Sequence, residues 1–147
     1  MIRVLVVSLC ALFLFSADDK DGAKKDVDRL QGEWSMVSGE HDGNKLPEEL
    51  VNTAKRVCKG EETTLTIGGQ MFMKATFKID NSKKPMTIDY TLLEGPNKGK
   101  KQLGIYEWDG DKVRFCFATP DNERPTDFTT KEGSNRILSV WKKAKKE

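Results

Sequence analysis

Apolar and polar residues alternate through most of this chain. The clearest stretch sets Met71, Met73, Ala75, Phe77 and Ile79 on one parity against Lys74, Thr76, Lys78 and Asp80 on the other, which is the period of a strand with one face buried and one in water. Phe72 alone breaks it. The same alternation predicts a first strand from about Gly32 to Ser38, a later one with Val113, Phe115 and Phe117 inside against Arg114 and Cys116, and a closing one from Ile137 to Trp141. From Arg56 onward, turn signals divide strand from strand at Lys59-Gly60-Glu61, Gly68-Gly69, Asn81-Ser82, Gly95-Pro96-Asn97, Asp109-Gly110 and Gly133-Ser134. Asp109-Gly110 predicts a type I′ hairpin, whose two central residues both need positive φ.

One segment leaves the period of two. Pro47 stands where a first helical residue belongs, Glu48 and Glu49 complement the positive end of a helix dipole, and Leu46, Leu50, Val51 and Ala54 form one apolar stripe. A single short helix is expected between the first two strands. Many strands with one apolar face, joined by short connections, favour closure over an open sheet with two exposed edges. The predicted fold is all-β in the main, an antiparallel barrel of about eight strands.

The N-terminus obeys a different pattern. Arg3 precedes the apolar run Val4 to Phe15, the length of a signal-peptide core and too short for the roughly 20 residues of a membrane span. An export signal over residues 1–17, ending at Ala17, is therefore expected, with a periplasmic or secreted product and no transmembrane segment in the mature chain. The competing readings are a lipidated Cys10, which the bulky Leu9 before it disfavours, and a retained N-terminal anchor. Asp18 to Lys25 is charged and lacks a large apolar residue, so it reads as a flexible leader. Asp26 is expected to cap one helical turn through Leu30. Of 147 residues, 130 remain once 17 are removed, enough for one domain, over residues 26–143 with a basic tail at 144–147.

Charge excludes some partners. The 25 basic residues include Arg3, so 24 face 23 acidic ones in the mature chain, and no strong field is left to attract nucleic acid or anionic lipid. Lys142, Lys143, Lys145 and Lys146 read as a solvated end, with a membrane-surface or polyanion contact as the alternative.

The chemistry-bearing residues do not assemble into a reactive set. His41, the one histidine, sits beside Asp42-Gly43 in a turn, and one His with two distant Cys makes no zinc site. Gly95 to Lys101 lacks both the Gly-Lys-Ser/Thr signature and the helix that a phosphate cradle requires. Glu48-Glu49 and Glu61-Glu62 are adjacent in sequence and do not converge as paired catalytic carboxylates do. No catalytic residue, metal or cofactor is expected, and the chain reads as a non-enzyme. Parity places Cys58 in the core and Cys116 on the surface, as separate thiols, with a disulfide between them, which an exported setting permits, as the alternative.

Gly32-Glu33-Trp34 after a helical turn resembles the Gly-x-Trp opening of lipocalins. That resemblance implies that Gly32 and Trp34 close the barrel base beneath a basic residue of the final strand, Arg136 or Lys142. A longer series carries a second resemblance: Leu30-Gln31-Gly32-Glu33-Trp34, Leu46-Pro47-Glu48-Glu49, Gly95-Pro96-Asn97-Lys98-Gly99-Lys100, Leu103-Gly104-Ile105-Tyr106-Glu107, Asp109-Gly110-Asp111, Cys116-Phe117-Ala118 and Arg124-Pro125-Thr126. In this order they resemble a planctomycete family of uncharacterised, small lipocalin-like exported domains, over Leu30 to Lys143. The resemblance implies a lipocalin-like fold and an exported setting, with no activity to carry over; Cys58 stands where a bulky apolar residue is expected.

The functional candidate is then the barrel interior. Met71, Met73, Phe77, Met86, Tyr90, Phe115 and Phe117 offer a soft lining for a small hydrophobic ligand, unless they fill the interior themselves. The rival is an envelope or extracellular module that binds a protein or glycan through its loops, with no internal ligand.

Overall fold

The computed structural model describes residues 18–145, so the expected export signal and its cut at Ala17 lie outside the described residues. The chain runs α1 (Asp18–Leu30), β1 (Gly32–His41), β2 (Asn44–Lys45), α2 (Glu48–Thr53), β3 (Lys55–Lys59), β4 (Glu62–Ile67), β5 (Gln70–Asp80), β6 (Met86–Glu94), β7 (Lys101–Asp109), β8 (Lys112–Ala118) and β9 (Arg136–Lys143). From β3 to β9 each strand pairs antiparallel with the next, and β1 pairs with both β3 and β9. Eight strands thus close into a lipocalin-like antiparallel barrel, with β2 added beside the tip of β1. No helix among the described residues is long and apolar enough to cross a membrane.

The closure is shared unequally along β1. Gly32 to Ser35 pair with β3, whereas Met36 to His41 pair only with β9 and, at the tip, with β2. In the gap on the β3 side lies α2, held by the Met36 amide on the Ala54 carbonyl at 3.3 Å and by the Leu46 amide on the Gly39 carbonyl at 3.0 Å. Gly39 leaves room for that contact: a Cβ on it would stand 2.5 Å from Leu46 Cδ1 and would push the leucine aside. Pro47 is extended (φ −54°, ψ 141°) and the helix starts at Glu48, because the ring fixes φ and no amide hydrogen is needed at that place.

Three bulges correct the simple alternation. On β5, Leu65 faces Met73 while Thr66 faces Met71, which leaves Phe72 as the extra residue. One inserted residue reverses the faces beyond it, so Met73 is buried and Met71 is 54% exposed. Leu93 on β6 and Val37 on β1 are skipped in the same way.

Two local expectations change. Asp109 pairs with Lys112, so the hairpin turn is Gly110-Asp111, and only Gly110 takes positive φ (60°). That is the signature of type II′, with glycine first, rather than I′. The charged leader is helical: α1 starts at Asp18, and Asp26 lies within it instead of capping it. Val27 packs against the core and Leu30 is 1% exposed, so the helix docks by one turn that carries the rest.

The inner parity supplies the core, from Trp34 and Thr63 round to Trp141. A second buried layer lies outside the wall. Ile105, Cys116 and Ala118 point outward yet are at most 1% exposed, because the connection from Thr119 to Asn135 folds back over them. Arg124 fixes that connection through the Gly104 carbonyl at 2.8 Å and Asp89 at 2.6 Å, and Arg136 does so through Asp127 at 2.8 Å. Thus Cys116 is buried, not on the surface; its thiol lies 3.9 Å from the Thr129 carbonyl, and burial pushes it up to about 11. Cys58 is inside, 3.4 Å from Thr63 Oγ1, and both thiols are free.

Candidate functional site

The two ends of the barrel are built differently. At the base, α1 covers the opening: Trp34 Nε1 donates to the Leu30 carbonyl at 2.8 Å, Tyr106 Oη donates to Asp26 at 2.6 Å, and the Arg29 guanidinium lies 3.9 Å over the Trp108 ring. Trp34 and Tyr106 each contact the edge or face of Trp108 with centroids 6.3 Å apart. Trp108 Nε1 is buried without an acceptor among the described residues.

The base cation is neither residue the sequence suggested. Lys143 holds its ammonium 4.7 Å over the Trp34 ring and donates to the Gln31 carbonyl. Cross-strand register explains it, since Trp34 pairs with Lys143 and shares its face. Lys142 has the opposite parity and lies 3.8 Å from Asp111 outside, and Arg136 is at the other end of β9. Gly32, at φ 105°, keeps the approach of Lys143 open, for a Cβ there would lie 3.2 Å from Nζ.

Towards the other end the interior opens into a cavity of about 310 Å³, at the lower edge of known ligand sites. Apolar side chains dominate its wall, among them Leu46, Leu50, Leu65, Ile67, Leu92 and Ile137. Of the seven lining residues expected from sequence, Met73, Tyr90 and Phe117 border it. Phe77 and Phe115 are packed below it, at 2% and 1% exposure, and Met86 packs against that lower core. Met71 faces solvent, because the bulge at Phe72 turned it out; Phe72 itself is half exposed at the rim. Phe117 enters the cavity wall over Gly104, where any Cβ would stand 2.4 Å from its ring.

At the boundary between packed base and cavity sits a residue that strand alternation alone could have flagged. Arg56 shares the inner parity of Cys58, is 4% exposed, and lines the cavity. Its Nη1 donates to Tyr90 Oη at 2.5 Å and to Thr63 Oγ1 at 3.2 Å. Its carbon Cζ lies 4.5 Å from the Trp141 ring centroid, 5.0 Å from that of Phe115 and 6.0 Å from that of Tyr90. Among the described residues no carboxylate comes within 4.0 Å of it, and its Nε has no hydrogen-bond partner.

Magnitudes show how unusual that is. Burying an ion costs several kcal/mol after relaxation, while a cation–π contact returns about 0.5 to 2 kcal/mol and a hydrogen bond from a charged group about 1.5 to 3 kcal/mol. The aromatic box and two hydroxyls offset much of the penalty, but the side chain keeps unpaired donors. Tyr90 is held neutral by burial, which pushes its phenol above the ordinary value against the opposing pull of Arg56. Ser139, another buried polar wall residue, accepts from Trp141 Nε1 at 2.9 Å.

The rim is polar. His41, Glu94 and Asn97 are exposed there, and Glu94 is the one carboxylate among the wall residues. The Gly95 to Lys101 segment is a hairpin connection closed by its own amides, with Gly99 donating to Leu92 at 2.8 Å and Lys98 to Gly95 at 3.2 Å. Lys100 pairs with Asp121 at 2.8 Å. Among the described residues no group of three or more His, Cys, Asp or Glu side chains is placed to hold a metal.

Comparison of the chain with protein-family models, with characterised proteins and with solved structures finds no match, so the geometry of the barrel carries the functional argument.

Proposed function

We propose that this is an exported lipocalin-like binding domain that holds a small, largely apolar ligand in the upper half of its barrel. One observation carries the reading: a cavity of about 310 Å³ with an apolar wall opens above a base that aromatic packing has filled. Moving hydrocarbon from water into such a wall yields about 25 cal/mol per Å², and no reactive group is needed. Export and kinship with the planctomycete family that the motifs resemble belong to the same proposal. In the lysine-bearing loop that the rival surface module would use, Lys100 is paired with the exposed Asp121, which competes with an external anion for that one side chain.

A thermal-shift screen of single-chain lipids at low and high salt tests the reading. Stabilisation that is insensitive to salt, and that Leu50→Trp reduces at least tenfold in apparent affinity by filling the cavity, is the expected outcome. A response confined to anionic glycans and weakened by salt, as screening over about 8 to 10 Å predicts, would transfer the function to the surface.

A further inference from the structure

The proposal of a cavity ligand leaves its chemical class open, and Arg56 narrows it. A guanidinium has five N–H donors in a planar fork. Nη1 is committed to Tyr90 and Thr63, and neither Nε nor Nη2 meets an acceptor among the described residues. Nε is itself out of solvent reach, so Nη2 is the donor left to a cavity ligand, and a carboxylate accepts from it in a short, charge-assisted hydrogen bond. Around it the chain supplies more donors: the Tyr90 hydroxyl accepts from Arg56 and gives its own hydrogen to no described residue, and Ser139 accepts from Trp141 in the same way. A buried cation among donors, without a counter-charge, at the inner limit of an apolar cavity calls for one anionic acceptor attached to hydrocarbon.

Resting on the cavity reading, we infer that the ligand is a single-chain amphiphile with a carboxylate head, a fatty acid in chemical class, seated head inward on Arg56 and Tyr90 with its chain along Leu65, Ile67 and Leu92 towards the rim. Size supports one chain. A cavity of about 310 Å³, at the lower edge of small-molecule sites, is too small for a two-chain phospholipid. Orientation follows from the ends of the barrel: α1 covers the base, so the ligand enters past Leu46, Phe72 and Pro96 and its head travels furthest.

Calorimetric titration of the purified protein with octanoic and dodecanoic acids, the matching alcohols and octyl phosphate separates the possibilities. The acid should bind at least tenfold tighter than the alcohol of equal length and tighter than the tetrahedral phosphate. Arg56→Met should remove that preference while the alcohol's affinity stays within about twofold, and Arg56→Lys, which keeps the charge and loses the fork, should fall between. Tyr90→Phe gives a second, milder probe, with an expected loss of a few fold for the acid alone, should Arg56→Met fail to fold. Equal binding of acid and alcohol would overturn the carboxylate assignment and leave the apolar-ligand reading standing. A preference for acid that survives Arg56→Met would place the head elsewhere. Binding of none of these lipids would remove both.

Discussion

The base and the upper half of the barrel are made from the same strands and differ in what the inner residues do. Below, Trp34, Tyr106 and Phe115 are at most 1% exposed, and α1 supplies acceptors for the indole of Trp34 and the phenol of Tyr106. Above, aliphatic side chains line most of the wall beside Tyr90, Phe117 and Trp141, the opening is only partly covered by α2 and the 95–97 turn, and the buried polar group has donors to spare. Large rings on the lower positions leave no room, whereas the many Leu, Ile and Met side chains among the upper ones leave space between the rings of Tyr90, Phe117 and Trp141. On the proposed function, the difference gives stability to one end and recognition to the other.

The largest effect should come from the base. Trp34→Ala removes a ring in contact with Trp108 and Lys143 and should cost about 3 to 5 kcal/mol through the cavity it leaves, read as a fall in the denaturation midpoint. A midpoint that hardly moved would erase the contrast between the ends.

Tyr106→Phe is a smaller cut in the same place. It deletes the bond to Asp26 and should cost about 1 to 2 kcal/mol. Burial first, and then the hydrogen bond and charge of Asp26, hold the Tyr106 phenol well above its ordinary value near 10. A raised value in the folded state means that the stabilisation is full below about pH 10 and lost as pH rises beyond it, when the unfolded chain ionises first. The wild type should therefore lose stability in strong alkali more steeply than Tyr106→Phe, by melting temperature against pH.

Leu50→Trp should do least to the fold. Leu50 is a half-buried residue of the short α2, facing the cavity, so a larger ring has space to enter, and the unfolding free energy should stay within about 1 kcal/mol of wild type. A loss comparable to that of Trp34→Ala would show that the upper half is packed as tightly as the base.

Much of this architecture was legible in the chain. The alternation of β5 and β8, the turn pairs and the Pro47-Glu48-Glu49 start of α2 specified strands and helix, because each is dictated by residues adjacent in sequence. The site was less legible, for reasons that depend on partners far along the chain. Phe72 announced a fault in the pattern, but that Met71 is turned out as a result depends on its pairing with Thr66. The lipocalin resemblance points to Arg136 or Lys142 as the cation over Trp34, and only the register of β1 against β9 selects Lys143. Arg56 carried a local signal, a charge on the parity of Cys58. Its neighbours Tyr90, Phe115 and Trp141 come from three other strands, so its isolation from every described carboxylate appears only when the barrel closes.

The two cysteines stand on opposite sides of one wall, Cys58 against Thr63 inside and Cys116 beneath the outer connection near Thr129. Four strands separate β3 from β8 in one direction round the sheet and two in the other. Closure of the barrel therefore acts as a barrier to oxidation within the molecule: a folded chain keeps its thiols apart in any redox surroundings, whereas a chain that joins them before the strands pair carries a covalent tie that the closed wall cannot accommodate. In oxidising surroundings, strand pairing would therefore have to come before that tie for a newly made molecule to reach the closed barrel.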